Sequence, residues 1–206
     1  MNKTRILLAD DHAVYRMGLV ALFETEPGFE VVGEADDGKS ALDLAIKLKP
    51  DVILMDIMMP GMDGIASTKA IHEQLPDAHI LILTTSTTSD DLAGARRNGA
   101  VGAITKSADN SRLLQAIRTV ASGREFVSEE IERLIAEDPP APALSPRQAE
   151  ILRCITKGLT TPEIARLLRI GPESVKVHVN ALFNKIGAAN RAEAVAIALR
   201  KHLLKI

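Results

Sequence analysis

A chain of 206 residues, 46% of them apolar but only 2% aromatic, is long enough for one large core or two small ones. Its formal charge of −2 hides a division: residues 1–138 hold 14 Lys and Arg against 23 Asp and Glu (net −9), residues 139–206 hold 11 against 4 (net +7). Separate partners are implied, a cation or phosphate chemistry for the acidic part and an anionic polymer for the basic part. The single cysteine, Cys154, excludes an internal disulfide and, beside Ile151, Leu152 and Ile155, reads as a small core residue. No apolar run approaches the ~18 residues of a membrane span, and Arg5–Ala9 runs into two aspartates rather than a signal-peptide cleavage site. A soluble, cytoplasmic protein is expected.

Up to residue 122, strand-like and helix-like segments alternate. Strands are predicted at Arg5–Ala9, Glu30–Glu34, Asp51–Asp56, His79–Thr84 and Gly102–Thr105, with helices near His12–Glu24, Lys39–Lys49, Ile65–Gln74, Ser89–Asn98 and Asp109–Ser122. Short apolar strands separated by helices mean an α/β doubly wound, five-stranded parallel sheet covered on both faces. Right-handed crossovers bring the strand C-termini to one edge, gathering Asp10, Asp11, Asp56, Thr84 and Lys106. A short helix at Ser128–Glu137 follows. The run Asp138-Pro139-Pro140-Ala141-Pro142-Ala143 then reads as a semi-stiff tether.

From Leu144 onward only helices are predicted. Ser145-Pro146, Thr160 or Thr161 with Pro162, and Gly171-Pro172 each open one, and Arg191–Lys205 forms a fourth. Two short helices followed by a longer one across a brief turn have the shape of a helix-turn-helix.

The acidic edge has definite chemical needs. Asp10, Asp11 and Asp56 repel one another unless a cation neutralises them. With oxygen ligands only, and no His or Cys at a suitable position, the donor set favours a hard ion such as Mg²⁺. An ionised Asp56 could attack phosphorus and form an aspartyl phosphate. Lys106 could neutralise the transferred group, and the Thr84 hydroxyl could donate to it.

The set Asp10-Asp11, Asp56 within MDIMMPGMDG, Thr84 within ILILTT and Lys106 within GAITK resembles the receiver domain of two-component response regulators, over about residues 3–122. That resemblance implies Asp56 as phosphoacceptor, Asp10, Asp11, Asp56 and the Met58 backbone carbonyl around Mg²⁺, Thr84 as the switch hydroxyl and Lys106 as the phosphate-pairing lysine. It also implies a sensor histidine kinase as phosphoryl donor. Three departures from the usual pattern stand out. Ala103 stands where an aromatic often rotates, Ser107 where a proline often follows the lysine, and Met58 and Ser86 at positions that tune hydrolysis. A bulky apolar Met58 should exclude water and favour a long-lived phosphoaspartate.

At about 100° per residue, Val175, Val179, Leu182 and Ile186 share one stripe of the third C-terminal helix, while Lys176, Asn180, Asn184 and Val177 fall on the opposite side. Amides read adenine, lysine reaches guanine or phosphate, and a methyl-bearing side chain meets thymine. His178 flanks the stripe, suited to packing and a backbone phosphate. The segment from Leu144 to Ala194 resembles the LuxR-type helix-turn-helix, and with the receiver the whole chain resembles the NarL/FixJ family of transcriptional regulators. The resemblance implies base contacts from Lys176, Val177 and Asn180, phosphate contacts from Thr161, Lys185 and Arg191, and a homodimer meeting double-stranded DNA at two half-sites. Ala194, Val195, Ala198 and Leu199, in line with His202, read as core packing, a dimer contact, or both.

The implied organisation is a receiver domain over 1–122, a linker with a short helix over 123–143, and a LuxR-type helix-turn-helix domain over 144–206. The reading is a regulator rather than an enzyme. An aspartate-nucleophile phosphatase would need a second Asp two residues after the nucleophile, where Met58 stands. A regulator with an inactive receiver is opposed by the intact acidic trio with Thr84 and Lys106. Phosphorylation could act by releasing the basic domain from the acidic one or by promoting dimerisation.

Overall fold

The computed structural model describes residues 3–85, 88–140, 143–201 and 203–204; Ser86 and His202, both singled out above, lie outside them. Two compact units divide the chain, Met1–Pro139 and Pro140–Ile206.

The first unit is a parallel sheet in the order β2-β1-β3-β4-β5-β6. Its strands are β1 (Thr4–Ala9), β2 (Phe29–Ala35), β3 (Val52–Asp56), β4 (His79–Thr84), β5 (Ala100–Thr105) and β6 (Phe126–Val127). Its helices are α1 (Ala13–Glu24), α2 (Gly38–Leu48), α3 (Gly64–Gln74), α4 (Ser89–Arg97), α5 (Asn110–Ala121) and α6 (Glu129–Glu137). Alternation along each strand divides the core between two faces. Leu7, Ala9, Ile53, Met55, Ile80 and Ile82 pack with Ala41, Ala45, Ile71 and Leu92. Ile6, Leu8, Leu54, Leu81, Leu83 and Ile104 pack with Leu19, Phe23, Leu113 and Ile117 on the other. Both faces being covered explains why these strands read as unbroken apolar runs.

The expected five strands become six. β6 pairs Phe126 with Gly102 and Val127 with Ala103, and the Ser128 N–H donates to the Ala103 carbonyl. A side chain on Gly102 would meet the Phe126 carbonyl at 2.7 Å, so the glycine admits the sixth strand. α6 then lays Ile131, 2% exposed, onto the core together with Leu134 and Ile135. Residues 126–137 therefore belong to the sheet unit rather than to a linker. A strand of two residues is too short for any period to be read from sequence.

The loop after β3 carries a second close approach. A Cβ on Gly64 would lie 1.9 Å from the Asp56 carbonyl, so the start of α3 can seat against the strand end only without a side chain. Gly64→Ala should cost about 1–3 kcal/mol by forcing the backbone apart. A thermal melt should show that loss, and phosphoryl uptake at Asp56 should slow with it; an unchanged midpoint would count against the packing described.

The second unit is four helices, α7 (Pro146–Thr156), α8 (Thr161–Leu168), α9 (Pro172–Ile186) and α10 (Arg191–Arg200). Ser145 and Gln148 form a reciprocal cap on α7, and the Glu163 carboxylate accepts from the Thr160 N–H and hydroxyl at the start of α8. Gly187, at φ +74°, ends α9 in the left-handed region. α10 stops at Arg200, short of the expected Lys205, as the Leu203 N–H turns back to the Ala198 carbonyl. The core holds Ile151, Leu152, Ile155, Ile164, Val175, Leu182, Ala194 and Ala198, with Cys154 6% exposed among them. Among the described residues, no helix is long and apolar enough to cross a membrane.

Candidate functional site

β1 lies between β2 and β3, so the chain leaves the sheet in opposite directions on either side of it. A crevice opens at such a point, at the C-terminal edge of the strands. Asp10 and Asp11 follow β1, Asp56 ends β3, Thr84 ends β4 and Lys106 follows β5. Asp10 and Asp56 are buried, at 1% and 2% exposure, whereas Asp11 is exposed.

Lys106 is the internal counter-charge. Its side chain is 6% exposed, and Nζ lies 2.6 Å from Asp10 Oδ2 and 2.7 Å from Asp56 Oδ2. The Lys106 N–H donates to the Thr84 carbonyl, fixing the stem across β4. Asp56 Oδ1 accepts from the Met58 N–H at 3.2 Å. Burial, the largest influence, pushes the Asp56 carboxyl above its ordinary range; the Lys106 ammonium and the Met58 N–H pull the other way. The Thr84 hydroxyl is buried with no hydrogen-bond partner among the described residues. Leaving a buried donor unmade costs about 1–3 kcal/mol, which an incoming acceptor would recover.

Two residues missed by the sequence reading stand in this crevice. His12 donates its N–H to Asp10 Oδ1 at 2.8 Å, and its Nδ1 lies 2.8 Å from Asp11 Oδ1 and 3.8 Å from Asp56 Oδ2. One ligand atom from each of Asp10, Asp11, His12 and Asp56 can be chosen so that all lie within 4.8 Å of one another. The expectation that no His stands at a suitable position is thus corrected: the residue next to Asp11 turns its ring back over the carboxylates. Tyr15, on the first turn of α1, faces the Lys106 ammonium at 5.0 Å from its ring centroid. The signal for both was position, immediately after the acidic pair and one helical turn beyond it. The acidic cluster fits a cation: buried carboxylates already draw in a lysine. Ala103 is buried on β5 and has no ring to rotate. The Lys106–Ser107 peptide is trans, since no cis bond occurs among the described residues.

In the helical unit, Val175, Leu182 and Ile186 are buried and Val179 packs against them, which turns Lys176, Asn180 and Asn184 to the exposed side. Val177 is 67% exposed beside them. Lys176 Nζ lies 2.8 Å from Glu173 Oε1, an exposed pair of little strength that a phosphate or base could replace. His178 and Thr161 are half-buried, and the Lys185 ammonium donates to Gln148 Oε1 at 3.4 Å.

Two groups of residues singled out in the sequence take on packing roles here. Arg191, expected at a phosphate, donates its guanidinium to the carbonyls of Ile155, on the last turn of α7, and of Leu159, in the loop that follows. Carbonyls at and just past a helix end attract a guanidinium. Of the residues expected at a dimer contact, Ala194 and Ala198 are buried in the domain core (0% and 3% exposed) and cannot touch a partner as the domain stands. Val195 is half-buried, and Leu199 is 55% exposed. On α10 the small residues admit the helix to its own core.

Comparisons with known proteins agree in both units. The response regulator receiver domain matches residues 6–118, and the bacterial regulatory proteins of the luxR family match residues 142–198. Transcriptional regulatory protein LiaR of Bacillus subtilis (strain 168) is 37% identical, over 97% of this chain and 99% of its own. Nitrate/nitrite response regulator protein NarP of Escherichia coli (strain K12) is also 37% identical, over 96% and 95%. Among solved structures, response regulator ChrA of a heme-sensing two-component system is 34% identical with a TM-score of 0.59, covering 99% of this chain and 100% of that one. A complex of the response regulator RcsB with DNA is 26% identical with a TM-score of 0.68, covering 97% and 99%. With a receiver pocket at one sheet edge and a luxR-type helical unit later in the sequence, the chain belongs to the two-component response regulators of the NarL type, which regulate transcription.

Proposed function

We propose that this protein takes a phosphoryl group onto Asp56 from the phosphohistidine of a sensor kinase, and that the modification changes how α9 engages DNA. The observation that carries the reading is the paired state of the crevice. A buried lysine already bridges Asp10 and Asp56, and a buried Thr84 hydroxyl has no hydrogen-bond partner among the described residues.

An oxygen of the Asp56 carboxylate forms the new bond to phosphorus as the bond from phosphorus to the histidine nitrogen breaks. Lys106 follows the added negative charge, and the Thr84 hydroxyl donates to a phosphoryl oxygen. Asp10, Asp11, Asp56 and the Met58 carbonyl would hold Mg²⁺, which when bound neutralises the carboxylates and the phosphoryl oxygens. In the basic unit, Lys176, Val177 and Asn180 face base edges, Asn184 extends the same face, and His178, Thr161 and Lys185 lie where phosphates can reach them. A homodimer places two copies of α9 on two half-sites, with Leu199 and the flank of Val195 open to the partner.

The test is the mass of the intact protein after incubation with Mg²⁺ and acetyl phosphate. Wild type should gain one phosphoryl group, and Asp56→Asn should gain none. A gain of equal size in Asp56→Asn would place the acceptor elsewhere.

A further inference from the structure

Tyr15 is the chain's one tyrosine, and the chain has no tryptophan. It stands half-buried on α1, packed against the core of that face of the sheet. With His12, Thr85, Lys106 and Ser107 it walls a cleft of about 370 Å³. The ring lies over an ammonium that is otherwise enclosed by Asp10 and Asp56. An ammonium held away from water is drawn to an aromatic face by the ring's quadrupole. Burial first, then Asp10 and Asp56, push the phenol up to about 12, so the ring stays neutral wherever the protein works.

We propose that Tyr15 is a positioning residue for phosphoryl transfer: its ring face holds the Lys106 ammonium over the Asp10–Asp56 pair and responds when that ammonium moves. The proposal rests on the reading of Asp56 as phosphoacceptor. Phosphorylation replaces one carboxylate charge by about two charges carried farther from β3. Lys106 must follow them, and its distance from the ring must change. The ring belongs to α1, whose outer side shows Val14 and Met17 at 84% and 69% exposure. Where Ala103 leaves β5 without an aromatic to turn, α1 supplies one that touches the same lysine.

The absence of tryptophan makes the test direct, because tyrosine emission then reports Tyr15 alone. Emission of the full-length protein is followed on addition of Mg²⁺ and then of acetyl phosphate, with intact mass read in parallel. Emission should change as the phosphoryl mass appears, and Asp56→Asn should show no change at that second step. Tyr15→Leu should take up the phosphoryl group between about twofold and thirtyfold more slowly, whereas Tyr15→Phe, which keeps a ring face, should stay within about twofold of wild type. Phosphorylation at the wild-type rate in a folded Tyr15→Leu protein overturns the assignment, as does wild-type phosphorylation with unchanged emission; both leave Asp56 as acceptor. If wild type gains no mass, the reading of Asp56 fails and the proposal falls with it. If Tyr15→Leu does not fold, the wild-type emission decides.

Discussion

Alanine at both Lys176 and Asn180 should weaken binding to a specific DNA site by at least about thirtyfold while leaving affinity for unrelated DNA nearly unchanged. The two residues stand one turn apart on the exposed side of α9, with Val177 67% exposed beside them. Each contact to a base edge is worth about 1–3 kcal/mol, and every 1.4 kcal/mol is tenfold in affinity. The fold should survive, because Val175, Leu182 and Ile186 anchor the helix from its other side. Loss of the lysine should also flatten the salt dependence by at most about one phosphate contact. Titration of labelled DNA at two salt concentrations separates these terms. Equal loss on specific and unrelated DNA would mean that α9 holds the backbone and reads nothing.

The second large effect is expected at Lys106. Lys106→Met removes the ammonium that pairs with both buried carboxylates. Phosphoryl uptake at Asp56 should fall by about a hundredfold, the usual consequence of losing a charge aimed at the transferred group. Mg²⁺ should bind more tightly, because the internal cation no longer competes for Asp10 and Asp56. The Asp56 carboxyl is already raised by burial, and two of the influences holding it down come from Lys106. Without them it rises further, so in the metal-free protein the ionised form is lost at a higher pH as acid is added. Calorimetric titration with Mg²⁺ and phosphorylation rates test both directions. Weaker Mg²⁺ binding in the variant would contradict the competition.

Both effects trace to features legible in the sequence for physical reasons. The reactive edge could be read because an apolar run ending in Asp56 and broken by Pro60-Gly61 fixes a strand end, and parallel strands share that edge. The two sides of α9 could be read because a period of 3.6 needs only the order of residues. What stayed hidden depended on distances. β6 has two residues and no period. His12 and Tyr15 act through ring placement, which spacing does not give. Arg191 looked like any exposed cation until the carbonyls of Ile155 and Leu159 came within reach. Ala194 and Ala198 look equally suited to a partner and to a core; the burial of α10 against α7 and α9 assigns them to the core.

The most direct test compares the affinity of the full-length protein for its DNA site before and after phosphorylation, in wild type and in Asp56→Ala. Wild-type affinity should shift by about tenfold, a typical size for coupling between two sites, and Asp56→Ala should not respond. A response in Asp56→Ala equal to that of wild type would contradict control of DNA binding through this carboxylate.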